Sequence, residues 1–329
     1  MANNTLLKKI MSISPLIEII IRIIYYSNFK VFKKFNFNNK KIKKNPRKIN
    51  FDIIINFLKE SGIKKGDLIL VHSSYNSVKA SGYKPDEILN FLIDLIGSEG
   101  TLAMPAMEKY PYPINLYNYL HDDIDKTEYI YDVNNPNIYT GILSEKLFLR
   151  VGSIRSLHPI NSMVAIGPLA EKIMNNNLIN DKSLPHGLNS SWQNCVNYDA
   201  KIIGLGVDLT HCCTITKTVE DLNYKIWPVK DWYCQRKFLI KNRDQSISFN
   251  LKERRAKWGM LHYAERKMCK DFILNNIIRT KVVEGVEIEI ANAKKIINFL
   301  NKRINDSYPY FFTHFNFQKF VKKINNFNS

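Results

Sequence analysis

What the chain lacks narrows the reading first. Cysteine is scarce: Cys195, Cys212, Cys213, Cys234 and Cys269 are the five in 329 residues. The number is odd and no Cys-x-x-Cys pair occurs. A disulfide framework and a thiolate zinc site are therefore set aside in favour of reduced thiols in a cytoplasmic protein, with no metal expected. There is no Gly-x-Gly-x-x-Gly fingerprint, no Walker phosphate loop and no Gly-x-Ser-x-Gly nucleophile elbow. Gly204-x-Gly206 alone is too little to indicate a nucleotide. No apolar run is long enough to span a bilayer: the richest, residues 15–26, is short and interrupted by Glu18 and Arg22. No small-residue cleavage site follows it, so a signal peptide is not expected either.

Acidic residues are also few, 30 against 48 Lys and Arg, which leaves a net charge of +18. That excess invites a nucleic-acid partner, but its distribution argues against one. Residues 1–48 hold twelve basic residues and one acid, Glu18, hence 12 − 1 = +11 of the +18. The excess sits in an N-terminal extension without any nucleic-acid motif. A helix over 15–26 places Glu18 and Arg22 four residues apart on one face and leaves the other to isoleucines. Two readings stay open for it: packing on the body or on a second subunit of an oligomer, or a basic amphipathic helix of residues 1–45 lying on an anionic membrane at the inner face. Because residues 1–45 precede every motif, a chain starting near Pro46 is expected to fold and keep its chemistry.

Hydrophobic residues make up 45% of the chain, enough for a sizeable core, and residues 49–329 read as a single domain. Residues 51–60 read as a helix stopped by Gly62, 67–71 as a buried strand, 85–97 as a second helix and 101–104 as a strand stopped by Pro105. Further strands are expected at 163–166 and 201–207, and helices at 141–150, 168–175, 255–275 and 291–304. Residues 236–250 suggest a β-hairpin, and 280–290 two strands broken at Gly285. Alternation of strand and helix predicts an α/β fold with a central sheet flanked by helices. The segment 106–140, rich in Tyr, Asn and Pro, is long for a loop and suits a substrate-side insertion.

Polar clusters stand where predicted strands end, the place where open α/β sheets bind ligands. His72-Ser73-Ser74 closes one strand, Arg155-Ser156-Leu157-His158-Pro159 precedes another with Ser162 beyond it, and Thr210 to Glu220 follows a third. Each alone reads as a turn or cap. Together and in this order, with Gly100-Thr101-Leu102, Thr140-Gly141, Pro185-x-Gly187-x-x-Ser190 and Leu205-Gly206-Val207, they resemble the aminoglycoside 3-N-acetyltransferase family over residues 55–225. The resemblance implies that family's own α/β fold, unlike the Gcn5 type, and a transfer of an acetyl or related acyl group from acetyl-CoA or another acyl-CoA to an aminosugar amine. It places His72, Ser73, Ser74, Arg155, Ser156, His158 and Ser162 near the coenzyme. Short polar side chains suit pantetheine amides, and an arginine suits phosphate. Glu108, Asp132 and Tyr139 of the insertion are assigned to the acceptor.

The catalytic motif departs from the pattern. Where the family has Thr-x-x-His-x-x-Glu, this chain has Thr214-x-x-Lys217-x-x-Glu220. An amine attacking a thioester must lose a proton, which a histidine accepts near neutral pH and an ordinary lysine does not. Three sources of a base stay open: His211 earlier in the loop, a Lys217 whose pKa is depressed by burial (or which serves as an oxyanion partner), and Glu220 acting through water. A homologue that only binds coenzyme or sugar is the non-enzymatic alternative. For the acceptor, a nucleotide- or lipid-linked aminosugar of surface polysaccharide is favoured over an aminoglycoside antibiotic, because phosphate suits a basic chain and a cationic Lys217.

Overall fold

A computed structural model of the chain describes residues 5–27, 48–108, 110, 128–208, 214–227, 229, 231–304 and 308–310. Two helices come first, α1 (Thr5–Met11) and α2 (Pro15–Ser27). Next is α3 (Phe51–Glu60), which begins where the Asn50 side chain accepts the Asp52 N–H at 3.0 Å and buries Phe51, Ile54, Phe57 and Leu58. Strand β1 (Leu68–Ser73) leads through a single helical turn, α4 (Tyr75–Val78), to α5 (Pro85–Ile96). Pro85 opens α5, the Glu87 carboxylate accepts the Lys84 N–H at 2.6 Å, and Gly97 ends it at φ 67°.

The chain continues with β2 (Thr101–Pro105), β3 (Glu128–Asp132), α6 (Ile142–Phe148), β4 (Ile154–Arg155), β5 (Met163–Ile166), α7 (Ala170–Met174), α8 (Ser191–Asn197) and β6 (Lys201–Leu205). A 3-10 turn at Thr214–Thr216 leads into α9 (Lys217–Leu222). The remainder is β7 (Tyr233–Asn242), β8 (Gln245–Arg254), α10 (Ala256–Met260), α11 (Glu265–Leu274), β9 (Ile278–Val283), β10 (Val286–Asn292) and α12 (Ala293–Ile304).

Seven strands form the main sheet in the order β4-β5-β2-β1-β6-β10-β9. The central strands β2, β1 and β6 are parallel, and antiparallel neighbours flank them on both sides. In β1, Leu68 and Leu70 enter one core cluster and Ile69 and Val71 the other, as the twofold period of a strand buried on both faces requires. One cluster gathers α3, α5 and α6, and the other gathers α7, α8, α9, α11 and α12. A second sheet, β3-β7-β8, covers its own aromatic cluster around Tyr110, Tyr129, Tyr131 and Phe238. The β7–β8 hairpin turns at Arg243 and Asp244. This is the α/β class read from the sequence, with a central sheet flanked by helices.

Three sequence-based expectations are corrected. Strand β1 runs on to Ser73, because β6 extends the ladder through the pairs His72↔Gly204 and Ser73↔Leu205. His72 and Ser73 are therefore strand residues, and His72 is buried. The helix expected over 255–275 is broken into α10 and α11. The break is filled by α2, whose Glu18 carboxylate accepts the Arg266 N–H at 3.0 Å and the Lys267 N–H at 3.1 Å. These are orphan donors of a new helix N-terminus, where a negative charge is favoured. Finally, α2 packs on the body with the opposite face from the one its sequence suggests. Glu18 is wholly buried and Arg22 nearly so, whereas Ile20 and Ile24 stay 46% and 51% exposed.

Candidate active site

The loop after β6 is seated by a close approach. A Cβ on Gly206, at φ 69°, would lie 2.4 Å from the Ser77 Cβ, and the Ser77 hydroxyl donates to the Gly206 carbonyl at 2.9 Å. Only glycine lets the segment after β1 meet the segment after β6 this tightly. Beyond that contact the chain turns into α9, whose first residue is Lys217 and whose fourth is Glu220.

Both residues line a cavity of about 400 Å³. His186 and Asp221 share its wall, together with Arg254 from the end of β8. The other wall comes from the extension: Leu7, Lys8 and Met11 of α1 and Arg22, Tyr25 and Tyr26 of α2 line the same space. Lys8 is anchored to Asp208 at 2.9 Å, and Arg22 bridges Glu18 and Glu265 at 2.9 and 3.0 Å. The helices that were expected to be dispensable are therefore part of the enclosure.

Glu220 is fully buried with both carboxylate oxygens engaged, one by Arg254 at 2.9 Å and the other by the Trp232 indole N–H at 3.2 Å. Burial raises its pKa, and the Arg254 guanidinium pulls against that rise. Lys217 is half-buried and makes no ion pair among the described residues. Burial, reinforced by the neighbouring charge of Arg254, lowers its pKa to about 8. A fraction on the order of one in ten is then neutral at pH 7.

His186, which the sequence motif left as an unspecified position between Pro185 and Gly187, is only 2% exposed. Its backbone N–H donates to Asp221 Oδ2 at 2.9 Å, and its Nδ1 lies 3.3 Å from the same oxygen. The Tyr233 hydroxyl donates to the other Asp221 oxygen at 2.7 Å. These donors hold the Asp221 carboxyl below its usual range despite burial. An ionised Asp221 only accepts, so the His186 ring carries its proton on Nδ1. Nε2 is then a bare lone pair, and it is a buried atom without a hydrogen-bond partner. Burial lowers the pKa of His186 to about 4, with Asp221 opposing the fall. Trp192, anchored by its indole N–H to the Asn161 carbonyl at 2.8 Å, packs against both His186 and His72.

The residues assigned from the motifs fall into three groups. Lys217 and Glu220 come together in the cavity, while Thr214 opens the 3-10 turn before them and does not line it. His211 lies outside the described residues. His72, Ser73 and Ser74 stand at the carboxyl end of β1, and the His72 Nε2 is buried without a partner.

The Arg155 group is committed to packing. Its guanidinium donates to the Asn135 and Ala106 carbonyls at 2.7 and 2.8 Å and lies over the Tyr131 ring. The Ser162 hydroxyl donates to the Ala106 carbonyl, and Ser156 binds back to Met163 N and His158 O. The His158 Nδ1 accepts the Ile160 N–H, so its Nε2 carries the hydrogen donated to the Ser183 carbonyl at 3.2 Å. These four buried residues brace the turn between β4 and β5, and these contacts engage them with backbone groups.

Glu108, Asp132 and Tyr139 are also kept apart from the cavity. Glu108 accepts from Asn135, Asp132 caps a turn at Asn134, and Tyr139 is 70% exposed. Residues 111–127 of the insertion lie outside the described residues.

Comparison with known proteins places this geometry in a family. The profile of the aminoglycoside 3-N-acetyltransferases matches residues 70–305. Aminoglycoside N(3)-acetyltransferase IX of Micromonospora chalcea is 27% identical over 46% of this chain and 55% of its own. Aminoglycoside N(3)-acetyltransferase III of Salmonella sp is 29% identical over 52% and 60%. The chain thus spans a little over half the length of these curated relatives. Among solved structures, aminoglycoside acetyltransferase AAC(3)-IIb aligns with a TM-score of 0.65 at 22% identity over 80% of this chain and 99% of that one. AAC-IIIb in binary complex with CoASH aligns at 0.61 and 18% over 78% and 96%. AAC-VIa bound to sisomicin aligns at 0.62 and 18% over 78% and 97%. Such identities establish a shared fold. With the profile covering most of the chain and the motifs in family order, this chain belongs to the aminoglycoside 3-N-acetyltransferase family.

Proposed function

We propose that the protein is a CoA-dependent N-acetyltransferase whose acceptor is a primary amine of an aminoglycoside-type aminosugar. The observation that carries this reading is the cavity. It presents Lys217 and Glu220 at the family's catalytic positions, beside a buried histidine–aspartate pair. Amide formation from a thioester needs an amine freed of its proton, a partner for the oxyanion and exclusion of water. A partly open cavity lined by a cationic lysine and a histidine–aspartate pair offers groups for the oxyanion and for the proton. Glu220, Asp221, Glu253 and Glu265 line it together with Lys8, Arg22, Lys217, Arg254 and Arg266. Structural relatives are known with CoASH and with sisomicin, gentamicin and apramycin, and the curated relatives are named for the same chemistry.

These resemblances support the aminoglycoside reading over the surface-polysaccharide one. On the latter, the observation in favour is Lys217 itself, a cation without an ion-pair partner among the described residues, which suits a phosphate-bearing sugar. Acetyl-CoA would supply the acetyl group as its thioester. Ser73 and Ser74, at the carboxyl end of β1, are the residues we assign to its pantetheine, on the family motif alone. No helix among the described residues is long and apolar enough to cross a membrane.

The test is release of free thiol from acetyl-CoA in the presence of sisomicin, gentamicin, apramycin and a nucleotide-linked aminosugar, with mass spectrometry of the product. A gain of one acetyl group on an aminoglycoside is expected. Turnover confined to the nucleotide-linked sugar would favour the second reading, and no thiol release with any acceptor would refute both.

A further inference from the structure

We propose that His186 is the general base of this protein, its Nε2 replacing the imidazole that family members carry at the position of Lys217, with Asp221 as its positioning residue. The inference deepens the acetyltransferase reading and rests on it.

Three observations converge. First, the ring is built in. It is 2% exposed, and Asp221 Oδ2 binds both its backbone N–H and its Nδ1. A carboxylate that also accepts from the Tyr233 hydroxyl cannot itself donate, so the tautomer is fixed with the proton on Nδ1. Second, Nε2 is orphaned. A buried acceptor without a donor costs free energy, and in a native structure it calls for an explanation such as a catalytic role or a ligand donor. Third, the ring is in the right place. His186 lines the same cavity as Lys217 and Glu220, the residues at the family's catalytic positions, with Nε2 itself just beneath the wall, so that a small turn of the ring brings it to the substrate.

The rival bases are poorer. Glu220 has one oxygen on Arg254 and the other on Trp232. His72 does not line the cavity, although its Nε2 is equally unpartnered. Lys217 is mostly protonated near neutral pH, which suits it to a different task.

The neutral amine of the acceptor attacks the thioester carbonyl carbon, forming the N–C bond while the C=O electron pair moves to oxygen. The Lys217 ammonium faces that oxyanion. Nε2 takes the proton shed by the amine nitrogen, and the positive charge gained by the ring is compensated by Asp221. Collapse re-forms C=O and breaks the C–S bond. The thiolate of CoA leaves and takes the proton back from Nε2, giving an amide and a free thiol.

The experiment uses the full chain, acetyl-CoA and the best aminoglycoside acceptor among sisomicin, gentamicin and apramycin. His186→Gln is expected to lower kcat by about 10²–10⁴, with the KM of both substrates changed less than about threefold and the thermal midpoint preserved. Asp221→Asn is expected to lower kcat with the same small KM change, since the ring loses the partner that sets its tautomer. Nitrogen-15 NMR of the wild-type histidines, with His186 assigned by loss of its signals in His186→Gln, tests the tautomer without relying on activity. A signal for Nδ1–H beside an unprotonated Nε2 supports the proposal, and Nε2–H overturns it. Wild-type turnover that survives His186→Gln also overturns the base assignment while leaving the acetyltransferase function standing. A wild-type protein inert toward every acceptor overturns the function and the base together.

Discussion

Removing the Glu18 carboxylate is a sharp test of how the extension is integrated. Glu18 is 0% exposed and serves four donors: the Arg266 and Lys267 backbone N–H groups and two nitrogens of Arg22. Burial raises its pKa, and Arg22 and the two backbone donors pull it back. Glu18→Ala leaves two N–H groups at the start of α11 unsatisfied and removes one of the two carboxylates on Arg22, with Glu265 remaining at 3.0 Å. Breaking a buried ion pair by deleting one partner costs about 3–5 kcal/mol. At about 2–4 °C per kcal/mol for a chain of this size, the thermal midpoint should fall by roughly 6–20 °C. Glu18→Gln keeps the volume and one acceptor oxygen, and should cost about 1–3 kcal/mol. Urea unfolding followed by tryptophan fluorescence reads both values, because Trp232 and Trp258 stack on each other near α10. If Glu18→Ala lies within about 0.5 kcal/mol of wild type, the range of an ordinary surface substitution, α2 does not cap α11 in solution and does not close the cavity.

Other outcomes follow from the same contacts. Deleting residues 1–27 strips Leu7, Met11, Arg22 and Tyr26 from the cavity wall. It should raise the acceptor KM by at least about tenfold, and steady-state kinetics with an unchanged KM would refute this. Arg155→Ala should destabilise the chain by about 3 kcal/mol or more. It should also weaken binding of CoA and of dephosphorylated pantetheine equally in calorimetry, because the guanidinium binds carbonyls. Lys217→Ala should lower kcat by about 10-fold to 10³-fold through loss of the oxyanion partner, less than His186→Gln; the opposite ranking would move the base to Lys217. Acid should unfold the protein early. His72 and His158 are buried and neutral with pKa values of about 4 against 6.5 in an exposed ring. Their folded pKa values lie below the unfolded one, so stability present above pH 6.5 is lost as pH falls toward 4, by up to about 3 kcal/mol for each. Urea midpoints that do not change between about pH 7 and about pH 4.5 would contradict that burial.

The sheet was legible because its signals are local. The Leu, Ile and Val run at 68–71, the Ile and Leu at 202–205, Pro85 and Gly97 around one helix, and Gly285 between two strands all act within a few residues. The site was legible only in part, because motif positions record where a family keeps a residue type and not what that residue does. Arg155, Ser156, His158 and Ser162 look like ligands in sequence, since Arg, Ser and His are the types that bind coenzymes. The same types brace buried turns by taking carbonyls and N–H groups, and only three-dimensional contacts separate the two uses. Residues 15–26 misled for a related reason. Amphipathic patterning assigns the apolar face to the inside, but here the inside offered two bare N–H groups and an acidic Glu265, and a Glu–Arg pair satisfies those better than isoleucine does.

Lys217 stands where the family keeps a histidine, and a second histidine, His186, stands earlier in the chain. No spacing rule links His186 to Asp221, because the loop before α8 meets α9 only in the folded chain, where His186 packs against Trp192 and bonds to Asp221. A usable signal was present all the same: a histidine stands in the Pro-x-Gly-x-x-Ser turn of a chain that lacks the motif's histidine at position 217. A family that needs one imidazole at the reacting amine can keep the chemistry while moving the ring, provided that a carboxylate is waiting to hold it. Asp221, immediately after the family's glutamate, is that carboxylate. The change at 217 is therefore better read with 186 and 221 than alone: as a relocated base whose old position has been given to a cation.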